Sequence, residues 1–112
     1  MRQLVTVGLI CVGMPVLADA PVVTAALRVG DRIDVTLRHG DTGWDHYADG
    51  WRVLGPDGTE IGFRKLLHPH VNEQPFTRSL SGLDIPEGAT HLTIVPHDSV
   101  HGDGPAFRLE LN

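Results

Sequence analysis

Short runs of alternating apolar and polar residues are the feature that most constrains the fold of this chain. In Arg32–Arg38, the apolar residues Ile33, Val35 and Leu37 are separated by polar ones. Successive side chains of a β-strand point to opposite faces, so a period of two residues predicts a half-buried strand. The same pattern predicts seven short strands in all: Val22–Val29, Arg32–Arg38, a strand beginning at Trp51, Thr59–Leu67, Phe76–Leu80, His91–Val95 and Ala106–Leu111.

Turn signals separate these strands, and no stretch shows a helical period. In Gly55-Pro56-Asp57-Gly58, proline presets the backbone and Gly58 accepts the positive φ that closes a hairpin. The pattern therefore predicts an all-β fold, an immunoglobulin-like antiparallel β-sandwich of about seven strands, with a barrel as the structural alternative. In the first strand, the alternation places Val23, Ala25, Leu27 and Val29 on one side.

The N-terminal segment has the pattern of a secretory signal peptide. Arg2 precedes an apolar run, and Val16-Leu17-Ala18 offers the small residues of a cleavage site. We expect residues 1–18 to be a signal peptide and residues 19–112 a single β-sandwich domain. The run is shorter than the roughly 20 apolar residues of a membrane span. It predicts a periplasmic or secreted protein with no membrane anchor after cleavage.

The net charge and the sulfur-containing residues exclude some partners and metal ligands. The chain has 9 Lys and Arg against 14 Asp and Glu, a net charge of −5, whereas nucleic acids select basic patches. We therefore expect no nucleic-acid partner. Cleavage after Ala18 would remove Cys11 and both methionines, so the mature chain would contain neither a disulfide nor a soft ligand for monovalent copper.

Histidine is the over-represented residue, with 7 copies. In the predicted sandwich, the connections His39–Gly50, His68–Pro75 and His97–Pro105 gather at one end. Loops on a rigid scaffold are where binding residues concentrate. Six histidines lie in or beside these connections: His39, His46, His68, His70, His97 and His101.

Two pairs of these histidines are the candidate metal ligands. His68 and His70 are two residues apart in an extended segment, so their rings share a face, and His97 and His101 form the second pair. Four imidazoles suit zinc or divalent copper. Three carboxylates are candidate ligands or partners of the ligating rings: Asp45, Glu73 and Asp98.

A hydrogen-bond network without metal is the competing interpretation, because imidazoles in polar loops commonly bond to nearby groups. For His39 and His46 taken singly, this structural role is favoured. The protein would then be a non-enzymatic interaction module that docks another exported protein through the end of the sandwich that carries these loops. No nucleophile elbow or paired acid–base carboxylates stand out, so the question of an enzyme stays open and a non-enzymatic protein is favoured.

Four residues in or near the predicted loops are candidates for a clamp or an interaction surface. Trp44, His46 and Tyr47 lie in the first loop, where exposed aromatic rings suit a contact; for Trp44 we expect a lid over the core. Arg78 falls on the inward side of its strand, where it needs a partner such as Glu73 or Asp98. The alternative is a bulge that turns Arg78 outward.

Three motifs carry a resemblance to known sequences: TGWDHYADGW (42–51), HPHVNEQPFTRSLSG (68–82) and HDSVHG (97–102). They resemble a family of small exported bacterial proteins of uncharacterised function. The resemblance covers nearly all of the predicted mature chain and implies that the three loops act as one unit. A looser likeness is to immunoglobulin-like sulfur-carrier and redox domains of the periplasm, of which those with iron keep a cysteine ligand.

Overall fold

Two antiparallel β-sheets build the structure of residues 20–111, the part of the chain described in a computed structural model. The predicted signal peptide, residues 1–18, lies outside the described residues. The strands are β1 (Val22–Val29), β2 (Arg32–Arg38), β3 (Ala48–Leu54), β4 (Glu60–Lys65), β5 (Phe76–Leu80), β6 (His91–Asp98), β7 (Gly102–Asp103) and β8 (Phe107–Glu110). No helix occurs in this part of the chain, so the all-β prediction is confirmed.

The eight strands form one three-stranded sheet and one five-stranded sheet. One sheet has the order β1-β2-β5, and the other has the order β4-β3-β6, with β7 and β8 both paired to the far edge of β6. The described strands number eight rather than about seven. The additional one is β7, whose Gly102 and Asp103 pair with Asp98 and His97 within the predicted connection His97–Pro105.

The inward faces of both sheets contribute to a single apolar core. The predicted inward residues of β2, Ile33, Val35 and Leu37, are buried, and they share a cluster with Trp51 and Ile94 of the other sheet. Burying side chains of this size contributes roughly 1.5–3 kcal/mol each.

In β1 the predicted inward face is only partly correct. Val23 is buried, but Leu27 is 59% exposed and Val29 is 46% exposed. The register against β2 shifts between Val23 and Ala25, so the alternation changes face and Ala26 packs against the core instead. A bulge of this kind moves every following side chain to the other side of the sheet.

The connections between strands place three loops at one end, hereafter the loop end, as predicted. They comprise residues 39–47, 66–75 and 99–101, and they are bonded to one another. The backbone N–H of Ser99 donates to the carbonyl of Tyr47, and the backbone N–H of His39 donates to Oε1 of Gln74. β6 is longer than predicted and runs to Asp98, so His97 and Asp98 lie on a strand beside the loops.

The opposite end closes with backbone turns. Gly58 has a φ of 87°, as the hairpin prediction requires, and its N–H donates to the carbonyl of Gly55. The N–H of Gly55 in turn donates to the carbonyl of Thr59, which completes the hairpin between β3 and β4.

Candidate metal centre

The carboxylate of Asp98 is the centre of the loop end. Its Oδ2 atom lies 3.0 Å from Nε2 of His39, 3.0 Å from Nε2 of His46 and 3.2 Å from Nδ1 of His101. Its Oδ1 atom accepts the backbone N–H groups of Val100 and His101. The Asp98 side chain is 0% exposed, so three imidazoles from three segments of the chain converge on one buried oxygen.

The two-residue period of the strands explains the positions of His39 and Asp98. His39 comes two residues after Leu37, the last inward residue of β2. Asp98 comes four residues after Ile94, an inward residue of β6. Both therefore enter the core end on the same side as the apolar residues before them. His46 comes from the first loop, and its ring lies 4.9 Å from the rings of both His39 and His101.

A second buried carboxylate holds His39 from the other side. Oδ1 of Asp41 lies 2.5 Å from Nδ1 of His39 and also accepts the N–H of Ala48. Its Oδ2 accepts the N–H of His70 at 2.7 Å. Asp41 therefore fixes the ring of His39 and ties the first loop to the second.

His39 thus lies between two carboxylates, and all three side chains are 0% exposed. An ionised carboxylate only accepts hydrogen bonds, whereas a neutral imidazole carries one N–H. A neutral His39 ring can therefore donate to only one of the two carboxylates. One further proton in this buried group would satisfy both contacts. A cation between Nε2 of His39 and Asp98, with Nδ1–H donating to Asp41, would satisfy them equally.

Asp98 is ionised in this setting. Burial alone would raise its pKa, but the hydrogen bonds from the backbone of His101, the ring of His46 and the backbone of Val100 outweigh burial and hold the pKa of Asp98 well below its ordinary value of 3.8. Hydrogen bonds to the charged form favour that form. The centre therefore favours the negatively charged form of Asp98 beside its histidines.

The geometry also permits a metal ion. One nitrogen each of His39 and His46 and one oxygen of Asp98 lie within 4.8 Å of one another, and this is the one group of three such ligands among residues 20–111. Ligands of a tetrahedral zinc ion at about 2.0 Å lie roughly 3.3 Å apart. Nδ1 of His101 lies 3.2 Å from the same oxygen but does not belong to this group of mutually close ligand atoms.

The four histidines predicted as ligands belong to three separate contacts. His101 joins the Asp98 centre, whereas Nδ1 of His97 lies 2.5 Å from Asp49. His68 and His70 lie together with ring centroids 4.5 Å apart. The structure does not bring all four into one group, so a site made of them stays a prediction.

His70 is buried at the edge of the loop end. Its ring stacks on Phe76 with 3.8 Å between centroids, and Nη2 of Arg78 donates to its Nε2 at 2.9 Å. Burial, the Arg78 charge and the neighbouring His68 lower the pKa of His70. Its Nδ1 atom has no hydrogen-bond partner among the described residues.

The predicted ion pair of Arg78 with Glu73 is present, but it is not the buried pair that the clamp prediction assumed. Arg78 lies 3.4 Å from Glu73, but the Glu73 side chain is 61% exposed, so the pair is not buried. Arg78 holds the second loop mainly through His70. Of the three predicted carboxylate partners, Asp98 is central, Glu73 bonds to Arg78 and Asp45 is exposed.

The predicted lid role of Trp44 is wrong. Trp44 is 66% exposed and packs edge-on against Tyr47, with 5.5 Å between ring centroids. The first loop turns back on itself, with His46 and Gly43 paired, and this turn leaves the indole ring outside. The buried indole of the protein is instead Trp51 in β3.

Comparisons with known proteins give two similarities, and no family model matches the chain. A protein of Halomicrobium mukohataei named "Putative lipoprotein" is 44% identical over 92 residues, which are 79% of this chain. The chain spans 45% of the length of that relative. Within residues 20–111, no helix is long and apolar enough to cross a membrane.

The second similarity is structural. The fold resembles that of a superoxide reductase (1Fe-SOR) from Giardia intestinalis, with a TM-score of 0.55 and 20% sequence identity. The match covers 83% of this chain and 97% of the other. At this identity the likeness is one of fold.

Proposed function

We propose that this is an exported protein that binds one divalent transition-metal ion, zinc or copper, at His39, His46, Asp98 and His101. The observation that carries the proposal is the convergence of three imidazole nitrogens on Oδ2 of Asp98. An ion bound among these groups would take over the contacts that Asp98 makes with the rings.

The donor set suits these ions. Imidazole nitrogen with a carboxylate oxygen is typical of zinc and divalent copper, and residues 20–111 contain no cysteine or methionine that would favour monovalent copper. Asp41 would be the outer partner that a ligating histidine requires, since its carboxylate accepts Nδ1–H of His39 and directs Nε2 inward.

Export is part of the same proposal. It is supported by the signal-peptide pattern of residues 1–18 and by the name of the 44% identical relative, a lipoprotein. We place the chain with that relative in a family of small exported proteins. The strand pairing also supports the immunoglobulin-like description, because β2 pairs with β5 in one sheet while β6 pairs with β3 and β8 in the other.

A docking module with a purely structural histidine network is the second candidate. The exposed Trp44 and its contact with Tyr47 favour it, because exposed aromatic rings are enriched in protein interfaces. In that case Asp98 would remain bonded to its three histidines in the working protein.

Metal titration separates the two functions. Protein expressed from the full sequence without a histidine tag is stripped with EDTA and titrated with zinc, copper(II) and iron(II), and the bound metal is measured by plasma mass spectrometry. Iron is included because the structural neighbour is named for it. We expect one zinc or copper ion per chain. Substoichiometric binding of every ion would leave the docking module as the better account.

Variants identify the ligands. His39→Ala and His46→Ala should weaken metal binding by more than about 100-fold. Removing even an outer partner of a ligand, such as Asp41, typically lowers metal affinity by about 10–100-fold. His91→Ala, far along β6 from the centre, is the matched control and should leave affinity unchanged. Binding that survives His39→Ala but fails in His68→Ala would instead assign the metal to the second loop.

A further inference from the structure

A cleft of about 490 Å³ lies on the outer face of the five-stranded sheet. Its walls come from three adjacent strands and the end of the first loop: Tyr47, Asp49, Phe63, Lys65 and His97. The cleft is separate from the metal centre. His97 and Asp98 are neighbours in β6, and their side chains therefore point to opposite faces of the sheet.

Gly50 lies in the sheet between two of the residues that line the cleft. In the sheet register, Gly50 is paired with Lys65 on one side and with His97 on the other. Paired residues share a face, so two polar side chains flank a position that has none. The ring of Phe63 covers part of this position, because a Cβ atom at Gly50 would come within 2.7 Å of it.

A bulge supplies the carboxylate of the cleft. The register of β3 against β6 shifts between Ala48 and Gly50, which leaves Asp49 as the additional residue. Such bulges redirect a side chain, and here the carboxylate of Asp49 lies 2.5 Å from Nδ1 of His97. Because the carboxylate accepts, Nδ1 carries the proton and Nε2 of the neutral ring is an acceptor. Nε2 has no hydrogen-bond partner among the described residues.

Lys65 supplies a positive charge to the other wall. It is the single lysine of the chain. Within residues 20–111 its ammonium group forms no ion pair or hydrogen bond, although the surface carries an excess of carboxylates. The cleft thus combines a cation that has no partner within residues 20–111, an oriented acceptor and two aromatic rings, Phe63 and Tyr47.

We infer that this cleft is a second binding site, for a small organic carboxylate that has an apolar group and a hydroxyl or N–H donor. The carboxylate would bind Lys65, the donor would bind Nε2 of His97, and the apolar group would cover Phe63. Ligand pockets commonly combine apolar walls with a few directed polar groups in this way.

Mandelate is a suitable probe, because it joins a phenyl ring, a hydroxyl group and a carboxylate. The full chain is labelled at its single lysine by reductive methylation with ¹³C-formaldehyde, which retains the positive charge. Spectra are recorded during titration in EDTA, so that metal chelation does not contribute. We expect saturable shifts of the Lys65 methyl signal and of the amides of Asp49, Phe63 and His97, with millimolar affinity.

Three comparisons make the result decisive. Phenylacetate lacks the hydroxyl group and mandelamide lacks the carboxylate, so both should bind more weakly. Lys65→Met should weaken mandelate binding at least about tenfold, as expected for the loss of one charge-assisted hydrogen bond, and Lys65→Arg should restore part of it. Arg28→Met, on β1 of the other sheet, is the matched control and should have no effect.

Two outcomes would overturn the inference. One is the absence of saturation at tens of millimolar mandelate, and the other is equal affinity in Lys65→Met and the unmodified chain. Shifts centred on His39, His46 and His101 would assign mandelate to the other side of the sheet and would likewise overturn it. The metal titrations use different variants, so either site can fail without the other.

Discussion

The two ends of the sandwich differ in what they bury. The loop end contains all four buried polar or charged side chains found among the described residues: His39, Asp41, His70 and Asp98. The opposite end is closed by backbone hydrogen bonds, such as the one from Gly58 to Gly55. Burying polar groups costs free energy unless every one is paired. The stability of the loop end therefore depends on the contacts that pair these buried groups.

The strongest test of this difference is Asp98→Ala. It would leave three imidazoles and two backbone N–H groups without their acceptor, and we expect the free energy of unfolding to fall by about 3–5 kcal/mol. Urea unfolding in EDTA measures the change. Asp57→Ala, in the turn at the opposite end, is the control and should have a small effect.

If Asp98→Ala does not fold, Asp98→Asn keeps one acceptor and should give a smaller loss. Equal losses in Asp98→Asn and Asp57→Ala would show that the two ends are energetically alike.

The next test is the pH dependence at His70. Because its pKa is lowered from 6.5 in the folded protein, the unfolded chain takes up the proton first as the pH falls. The stability due to His70 is thus present above pH 6.5 and is lost below it. Besides Phe76, the groups around the ring are His68, Arg78, Asp41 and Glu73.

We therefore expect unmodified protein to lose more stability than His70→Gln between pH 7 and about pH 5. Unfolding curves across this range provide the measurement. His91→Gln, at the opposite end, should follow the unmodified protein. Parallel curves for His70→Gln and the unmodified protein would contradict the prediction.

At the opposite end, Gly58→Ala probes a position set by backbone geometry. Its φ of 87° is unfavourable for residues with a Cβ atom, and the cost should be about 1 kcal/mol. Gly58→Asn should cost less, since asparagine adopts positive φ more readily. Thermal unfolding of the two variants tests this order, and equal losses would show that backbone strain is not the cause.

Trp44→Ala should have the smallest effect on stability, within about 0.5 kcal/mol, because the indole ring is mainly in solvent. Unfolding followed by circular dichroism tests this expectation. A loss as large as that of Gly58→Ala would mean that the ring covers the loop end after all. Zinc affinity should also be unchanged in this variant.

Sequence patterns predict the core strands but do not identify the central residues of the candidate metal centre. The alternation of Ile33, Val35 and Leu37 predicts the inward face of β2, and one further step reaches His39. The same step from Ile94 past Pro96 reaches Asp98. The predicted strand ends at Val95, just before Pro96, which puts Asp98 in a loop. Continuing the period into the polar residues would have identified both.

Other features depend on pairing between strands, which local patterns do not contain. The register shift in β1 exposes Leu27, and the bulge at Asp49 forms the outer cleft. Likewise, the sequence spacing of His46 from Asp98 does not reveal that both meet the same oxygen. These positions follow from which strands lie side by side.

The point where the chain enters the sandwich has a practical consequence. Val22 pairs with Arg38, next to His39, and a Cβ atom at Gly104 would strike the carbonyl of Pro21. The first described residues thus lie beside the candidate metal centre, whereas Glu110 pairs with His91 at the far end. A fluorophore or purification handle fused ahead of residue 20 would be tethered next to the candidate ligands and, if it contained histidine, would compete with them for added metal. Handles for metal work belong at the C-terminus, removable and free of histidine.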